Sequence, residues 1–189
     1  MPTQRNQLQR NSLIAVFITT VVIWLMGQPV WCKCGSPAIF SWNIWSSHNS
    51  QHLIDPYTFS HVQHGFVFFW MLLPLNRRLS PSQCFFLALL LECGWEILEN
   101  SPIVIQRYRT ATISLDYLGD SVLNSAGDIV ACLIGYEVAS RIRLRWSIVM
   151  FVVIELLLML TIRDGLILNV LMLLAPIESI KTWQMGIQP

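Results

Sequence analysis

The sequence predicts an all-α fold, a polytopic transmembrane helical bundle of five to six helices, and three observations carry that expectation. Of the 189 residues, 54% are hydrophobic and 12% charged, against roughly 25% charged in soluble domains. Apolar runs near the ~20 residues that span a bilayer recur at about 13–31, 59–75, 82–99, 120–139 and 146–162, with a shorter sixth at 165–180. With the N-terminus inside, eight of the twelve Lys and Arg residues fall in inside segments, the bias expected of cytoplasmic loops. No Gly/Ser linker, charge block or repeat divides residues 1–189, so they read as a single integral membrane domain. A net charge of +1 gives no reason to expect nucleic-acid binding.

The first run follows Arg5 and Arg10, as a signal peptide would. It ends Gly27-Gln28-Pro29-Val30-Trp31-Cys32, without a small-x-small cleavage site, which predicts an uncleaved first helix. The first outside loop then carries Cys32-Lys33-Cys34, His48, His52 and Asp55. In an oxidising compartment the Cys-x-Cys pair is either a strained, labile disulfide or two free thiols. His61 and His64 open the second span, one turn apart.

Glu92, Glu96 and Glu99 close the third span at i, i+4 and i+7, all on one helical face. Ser101-Pro102 stops that helix, because proline disfavours helical geometry in the preceding residue. Arg107, Arg109 and Asp116 fall in the second outside loop. Asp120 is the expected N-cap of the fourth span, with Asn124 and Asp128 one and two turns further on. Gly127 and Gly135 permit close helix approach. Arg163 and Asp164 cap the fifth span. Cys84, Cys93 and Cys132 read as small packing residues, and Trp31, Trp42, Trp45, Trp146 and Trp183 as an interfacial belt.

A carboxylate in lipid costs several kcal/mol unless it faces protein, water, a proton or a metal. Helical rise places Glu92 roughly 10 Å deeper than Glu99, and Asp128 roughly 12 Å deeper than Asp120. Antiparallel neighbours would then stack Glu99, Asp120 and His61 at the interface, Glu96, Asn124 and His64 below them, and Glu92 with Asp128 deepest. One reading pairs these acids with Arg107, Arg109 and Arg163 as structural glue. The other makes them a polar pocket open to the outside. There His64, Glu96, Glu99, Asp120 and Asn124 supply acid–base groups, and Arg107 and Arg109 hold an anion. His61, His64, Glu96 and Asp120 form a candidate divalent-metal set, with Glu92 and Asp128 as deep polar support.

Several strings then become familiar: Trp31-Cys32-Lys33-Cys34-Gly35, Ser50-Gln51-His52-Leu53-Ile54-Asp55-Pro56-Tyr57, Ser60-His61-Val62-Gln63-His64-Gly65, Trp95-Glu96-Ile97-Leu98-Glu99-Asn100-Ser101-Pro102 and Asp116-Tyr117-Leu118-Gly119-Asp120-Ser121. Over nearly its whole length the chain resembles a family of bacterial inner-membrane proteins known only as a domain of unknown function. It also resembles, more distantly, the VanZ-like membrane proteins. Their pattern is a histidine opening one helix, a glutamate ending the next, a loop arginine, then Asp-x3-Asn-x2-Gly. His64, Glu96 or Glu99, Arg107 or Arg109, and Asp120, Asn124 and Gly127 follow that order. The departures are the extra acids Glu92, Asp116 and Asp128, and an Arg109 further from Asp120 than the pattern has it. That group is linked to glycopeptide-antibiotic tolerance and envelope physiology, so the likeness implies a shared helical site more than a shared reaction.

The leading expectation is a multi-pass protein of the bacterial inner membrane, N-terminus cytoplasmic, acting on or binding an envelope lipid or its anionic head group. A second is a small proton- or cation-coupled transporter using Glu92 and Asp128, which at this length would work as a homo-oligomer. A third is a non-catalytic assembly protein for an envelope partner, its polar network fixing helix register.

Overall fold

A computed structural model describes residues 4–114 and 116–186, with side chains from residue 6 onward. Among the described residues the chain forms eight α-helices: α1 Gln4–Leu25, α2 Thr58–Leu72, α3 Pro81–Glu99, α4 Pro102–Ala111, α5 Val122–Arg141, α6 Leu144–Ile162, α7 Leu166–Leu174 and α8 Glu178–Met185. A 3-10 helix, Leu73–Arg77, continues α2. Four helices (α1, α3, α5 and α6) are long and apolar enough to cross a membrane. With their apolar side chains left on the outside of the bundle, they make this a membrane protein. On α6 alone, Val149, Val152, Val153, Leu156, Leu157 and Leu160 are all exposed, the surface that lipid would cover.

The expected second span, 59–75, is shorter as an α-helix. Pro74 sits at the second position of the 3-10 helix, where its missing N–H costs nothing. At their respective rises α2 and the 3-10 helix together cover about 32 Å, enough for a bilayer core. The expected sixth span, 165–180, is not one helix but two. Ala175, Pro176 and Ile177 separate α7 from α8, and nine residues of α7 reach only about 13 Å.

The centre of the bundle is the crossing of α2 and α5. A Cβ on Gly65 would overlap the Cys132 carbonyl oxygen, and one on Gly135 would overlap that of Val62. The two backbones therefore touch with no side chain between them, as small residues allow in membrane helices. A Cβ on Gly127 would in turn strike the Leu53 carbonyl. α3 packs on both helices and on α1, and α6 packs on α2.

Caps at the loop end of this bundle follow side-chain chemistry. Ser101 caps α4, with Pro102 in its first turn, so the expected break after α3 holds, but the supposed loop bearing Arg107 and Arg109 is helical. Ser121, not Asp120, is the N-cap of α5, accepting from the Asn124 amide at 3.1 Å. Loop carbonyls complete that end: the Ser121 amide donates to Ser50, Val122 to Pro29 and Leu123 to Val30, satisfying N–H groups that a helix start leaves free. Asp120 is instead held by its neighbours, accepting from Asn100 Nδ2 at 3.0 Å and Tyr117 Oη at 2.9 Å.

Helix α7 is clamped at both ends. The Glu155 carboxylate of α6 accepts from the Leu166 amide at 3.1 Å and the Ile167 amide at 2.9 Å. Arg107 Nε donates to the Leu173 carbonyl at 2.7 Å and its Nη2 to that of Leu174 at 3.4 Å. Acid at the N-terminus and base at the C-terminus match the helix dipole. Gly165 lets the chain fold tightly against Glu155, because a Cβ there would lie 2.7 Å from Oε1.

Candidate functional site

The start of α2 is fixed by Asp55. Its Oδ1 accepts from the Tyr57 amide at 2.7 Å and the Thr58 amide at 3.2 Å, while the Thr58 hydroxyl accepts from the Asp55 amide at 3.1 Å. Ser50, His52 and Asp55 are all buried, so this loop dips into the bundle before α2 begins. His61 consequently lies deeper than counting from a membrane surface suggests. It meets Glu92, two turns below the level of Glu99, and the expected pairing of layers is offset accordingly.

Glu92 of α3 holds both histidines. His61 Nδ1 lies 2.6 Å from Oε1, and His64 Nδ1 approaches Oε2 at 3.1 Å and Oε1 at 3.3 Å. Around His61 two further acids close in: Glu96 Oε1 lies 3.4 Å from Nδ1, and Asp128 Oδ2 of α5 lies 3.9 Å from Nε2. Glu92 and Glu96 are wholly buried and Asp128 nearly so. Both oxygens of Glu96, Oδ1 of Asp128 and Oε2 of Glu99 are buried without a hydrogen-bond partner. Unsatisfied carboxylate oxygens beside imidazoles are the arrangement a cation or a shared proton completes. Two sets have ligand atoms mutually within 4.8 Å: His61, His64 and Glu92, and His61, Glu96 and Glu99.

A small cavity of about 40 Å³ adjoins the cluster, lined by the polar His61, His64, Glu99, Asp120 and Asp128 and by the apolar Trp95, Leu166 and Val170. Tyr57, Tyr108, Tyr117 and Asn169 also line it. Burial, reinforced by Asp164, Glu99 and Asp120 respectively, drives the three phenols well above their ordinary pKa, so all three stay O–H donors. Tyr57 donates to Asp164 at 3.1 Å and Tyr108 to Asn169 at 3.0 Å. Burial pushes Asp164 up to about 6, partly countered by the Gly165 amide and Tyr57.

Of the residues singled out from sequence, His61, His64, Glu92, Glu96 and Asp128 converge. Glu92 stands at the centre rather than in support. Glu99 and Asp120 line the adjoining cavity. Asn124 lies outside the cluster: its Nδ2 donates to the His52 carbonyl at 2.8 Å and to Asp55 Oδ2 at 3.4 Å, pinning the loop to α5. Neither Arg107 nor Arg109 lines the cavity, and Arg107 is occupied with α7. Arg163 donates to the Trp183 carbonyl at 2.8 Å and stacks on its ring. For Arg107 and Arg163 the role of gluing acids together is therefore taken by backbone capping. Sequence reading did not implicate Tyr57, Tyr108, Tyr117 or Asn169; nothing in their spacing marks them, since four separate segments bring them together.

Fold and site thus define a polytopic helical membrane protein with a buried histidine–carboxylate cluster. The chain belongs to the family described as protein of unknown function (DUF2585), whose model matches residues 23–186. Among relatives, a UPF0314 protein of Rhizobium etli (strain CIAT 652) is 46% identical over 175 residues, 92% of this chain and 90% of that one. A UPF0314 protein of Rhizobium meliloti is 46% identical over 170 residues, 90% and 86% of the two chains. One of Paracoccus denitrificans is 45% identical over 172 residues, 91% and 89%. No solved structure matches.

Proposed function

We propose that this protein sits in the bacterial inner membrane with its N-terminus in the cytoplasm. Its outward-facing cluster of His61, His64, Glu92, Glu96 and Asp128 binds a divalent cation and presents it to the polar head group of an envelope lipid. The observation that carries this reading is charge. Buried acids crowd two imidazoles, several of their oxygens lack partners, and among the described residues no lysine or arginine lines the cavity. An anionic head group would be repelled by such a site without a cation between them. A bound divalent ion would act as a Lewis acid on the head group or activate a water. Glu92 would keep both imidazoles oriented, and the three tyrosines would donate to oxygens of the ligand. The cavity of about 40 Å³ holds an ion and a few waters, so a head group meets it from the opening. Trp95, Leu166 and Val170 there suit the apolar part of a lipid.

The order of His64, Glu96, Asp120 and Asn124 that resembles VanZ-like proteins supports an envelope role. The transporter reading is weakened by the acids it would need beyond the cluster. Glu137 pairs with Arg141 at the exposed far end of α5, and Glu155 is committed to α7.

The test compares full-length protein purified in detergent without chelator, wild type against Glu92→Gln and His61→Asn/His64→Asn, by elemental mass spectrometry and by complementation of a deletion strain. Loss of bound metal together with loss of complementation, in variants that stay folded and inserted, is expected. Folded variants that keep both would overturn the proposal.

A further inference from the structure

A second group of metal-ligating side chains lies outside the helices, in the 32 residues between Leu25 and Thr58. Loops longer than about 15 residues without regular structure are uncommon in compact proteins. This one has a single isolated bridge, Phe40 with Ile54. Within it lies a knot of four side chains. Cys32 Sγ lies 3.2 Å from His48 Nδ1, Cys34 Sγ lies 3.8 Å from His52 Nε2, and one ligand atom from each of the four falls within 4.8 Å of every other. All the cysteines are free thiols.

We propose that Cys32, Cys34, His48 and His52 form a tetrahedral site for a thiophilic divalent cation of the Zn²⁺ type, stapling this loop over the helical bundle. Zn–S bonds of about 2.3 Å and Zn–N bonds of about 2.0–2.1 Å at tetrahedral angles set neighbouring donors roughly 3.3–3.8 Å apart. The two Sγ···N spacings, 3.2 and 3.8 Å, fall either side of the roughly 3.5 Å that a sulfur and a nitrogen on one tetrahedral ion would have.

Two features of the surroundings are those of ligands. His52 Nδ1 bonds the Ala38 carbonyl, and since a carbonyl only accepts, the proton is on Nδ1 and the lone pair of Nε2 is left facing Cys34. Metal-bound histidines are oriented in this way. The Ser36 amide donates to Cys34 Sγ at 3.4 Å, and Gly35, at φ +67°, turns the chain between them. Cys32 and His52 are buried while Cys34 is exposed, so an ion has a route in. The spacing Cys-x-Cys, thirteen residues, His-x3-His is close to that of zinc-binding loops. The site is independent of the cluster in the helices, sharing no ligand with it.

The experiment is titration of reduced, full-length, detergent-solubilised protein with Co²⁺, followed by Zn²⁺. The expected result is thiolate-to-metal charge-transfer absorption that Zn²⁺ displaces, retained in Cys132→Ser and in His61→Asn/His64→Asn but lost in Cys34→Ser. In the wild type, Zn²⁺ should slow maleimide labelling of Cys32 and Cys34 at least tenfold, a measurement that needs no variant to fold. Absence of charge transfer, its persistence in Cys34→Ser, or labelling unaffected by Zn²⁺ would each overturn the proposal. Failure of the helix cluster to bind metal would leave the thiolate signal in place, so the two readings fail separately.

Discussion

The histidine–carboxylate cluster draws its side chains from α2, α3 and α5, whereas the cysteine–histidine cluster takes all four from 21 consecutive residues, Cys32 to His52. The first depends on helix packing across the whole bundle; the second depends on turns and on a few backbone hydrogen bonds. Their donors differ in the same sense. Carboxylates with imidazoles suit a harder ion in a negative, buried setting, and thiols with imidazoles suit a softer one. The teaching is that position along the chain decides what disturbs a site. A change in helix contact moves one cluster, and a change in loop conformation moves the other.

The strongest way to break the first cluster alone is at the α2–α5 crossing. Gly65→Leu would drive a side chain into backbone of α5, where nothing can repack, and overpacking of this kind costs about 3 kcal/mol. A large fall in melting temperature in detergent is expected. Gly94→Leu on α3 is the contrast, since a Cβ there meets nothing within 4 Å, and it should leave the melting temperature nearly unchanged. Equal loss from both would refute the close crossing.

Asn124→Ala sharpens the comparison by cutting a buried side chain that links the regions. It removes the bond to the His52 carbonyl and leaves buried polar groups unpaired, a loss of about 1–3 kcal/mol. The prediction is a stability loss of that order together with faster maleimide labelling of Cys34. Unchanged labelling would mean that the loop holds itself without α5.

A pH dependence confines the comparison to a single group. Asp164, pushed up to about 6 by burial, binds its proton more tightly folded than unfolded. Its contribution is therefore most favourable below about pH 4, falls as pH rises through 6, and is constant above that. Comparing chemical-denaturation midpoints of wild type and Asp164→Asn between pH 4 and 7 isolates it: the wild type should lose stability relative to the variant across that window. A flat difference would contradict the burial of this group.

The helical class and the acid stripes were legible because hydropathy and the 3.6-residue period write them directly into the chain. Pairing depth was not. Counting turns assumed that α2 starts at a membrane surface, and the buried Asp55 loop moved His61 to the level of Glu92. Caps were half legible: Ser101 with Pro102 gave the break, but Ser121 outcompeted Asp120 because Asn100 and Tyr117 already hold that carboxylate. Arg107 and Arg163 differ from the sequence expectation for a related reason. A guanidinium near acids invites an ion pair on paper, while in the fold Arg107 finds the free carbonyls of a short helix. The Cys/His group was present as spacing, but the two halves were read apart, one as a redox pair and the other as loop histidines.

Helix α7 contributes Leu166, Asn169 and Val170 to the cavity wall, yet the side chains that set its position, Glu155 and Arg107, line no part of that cavity. The wall therefore behaves as a panel hung on two hinges fixed elsewhere in the frame. Altering either hinge would reshape the chamber while every residue inside it kept its identity, so tuning of this site need not be sought among the residues that touch its contents.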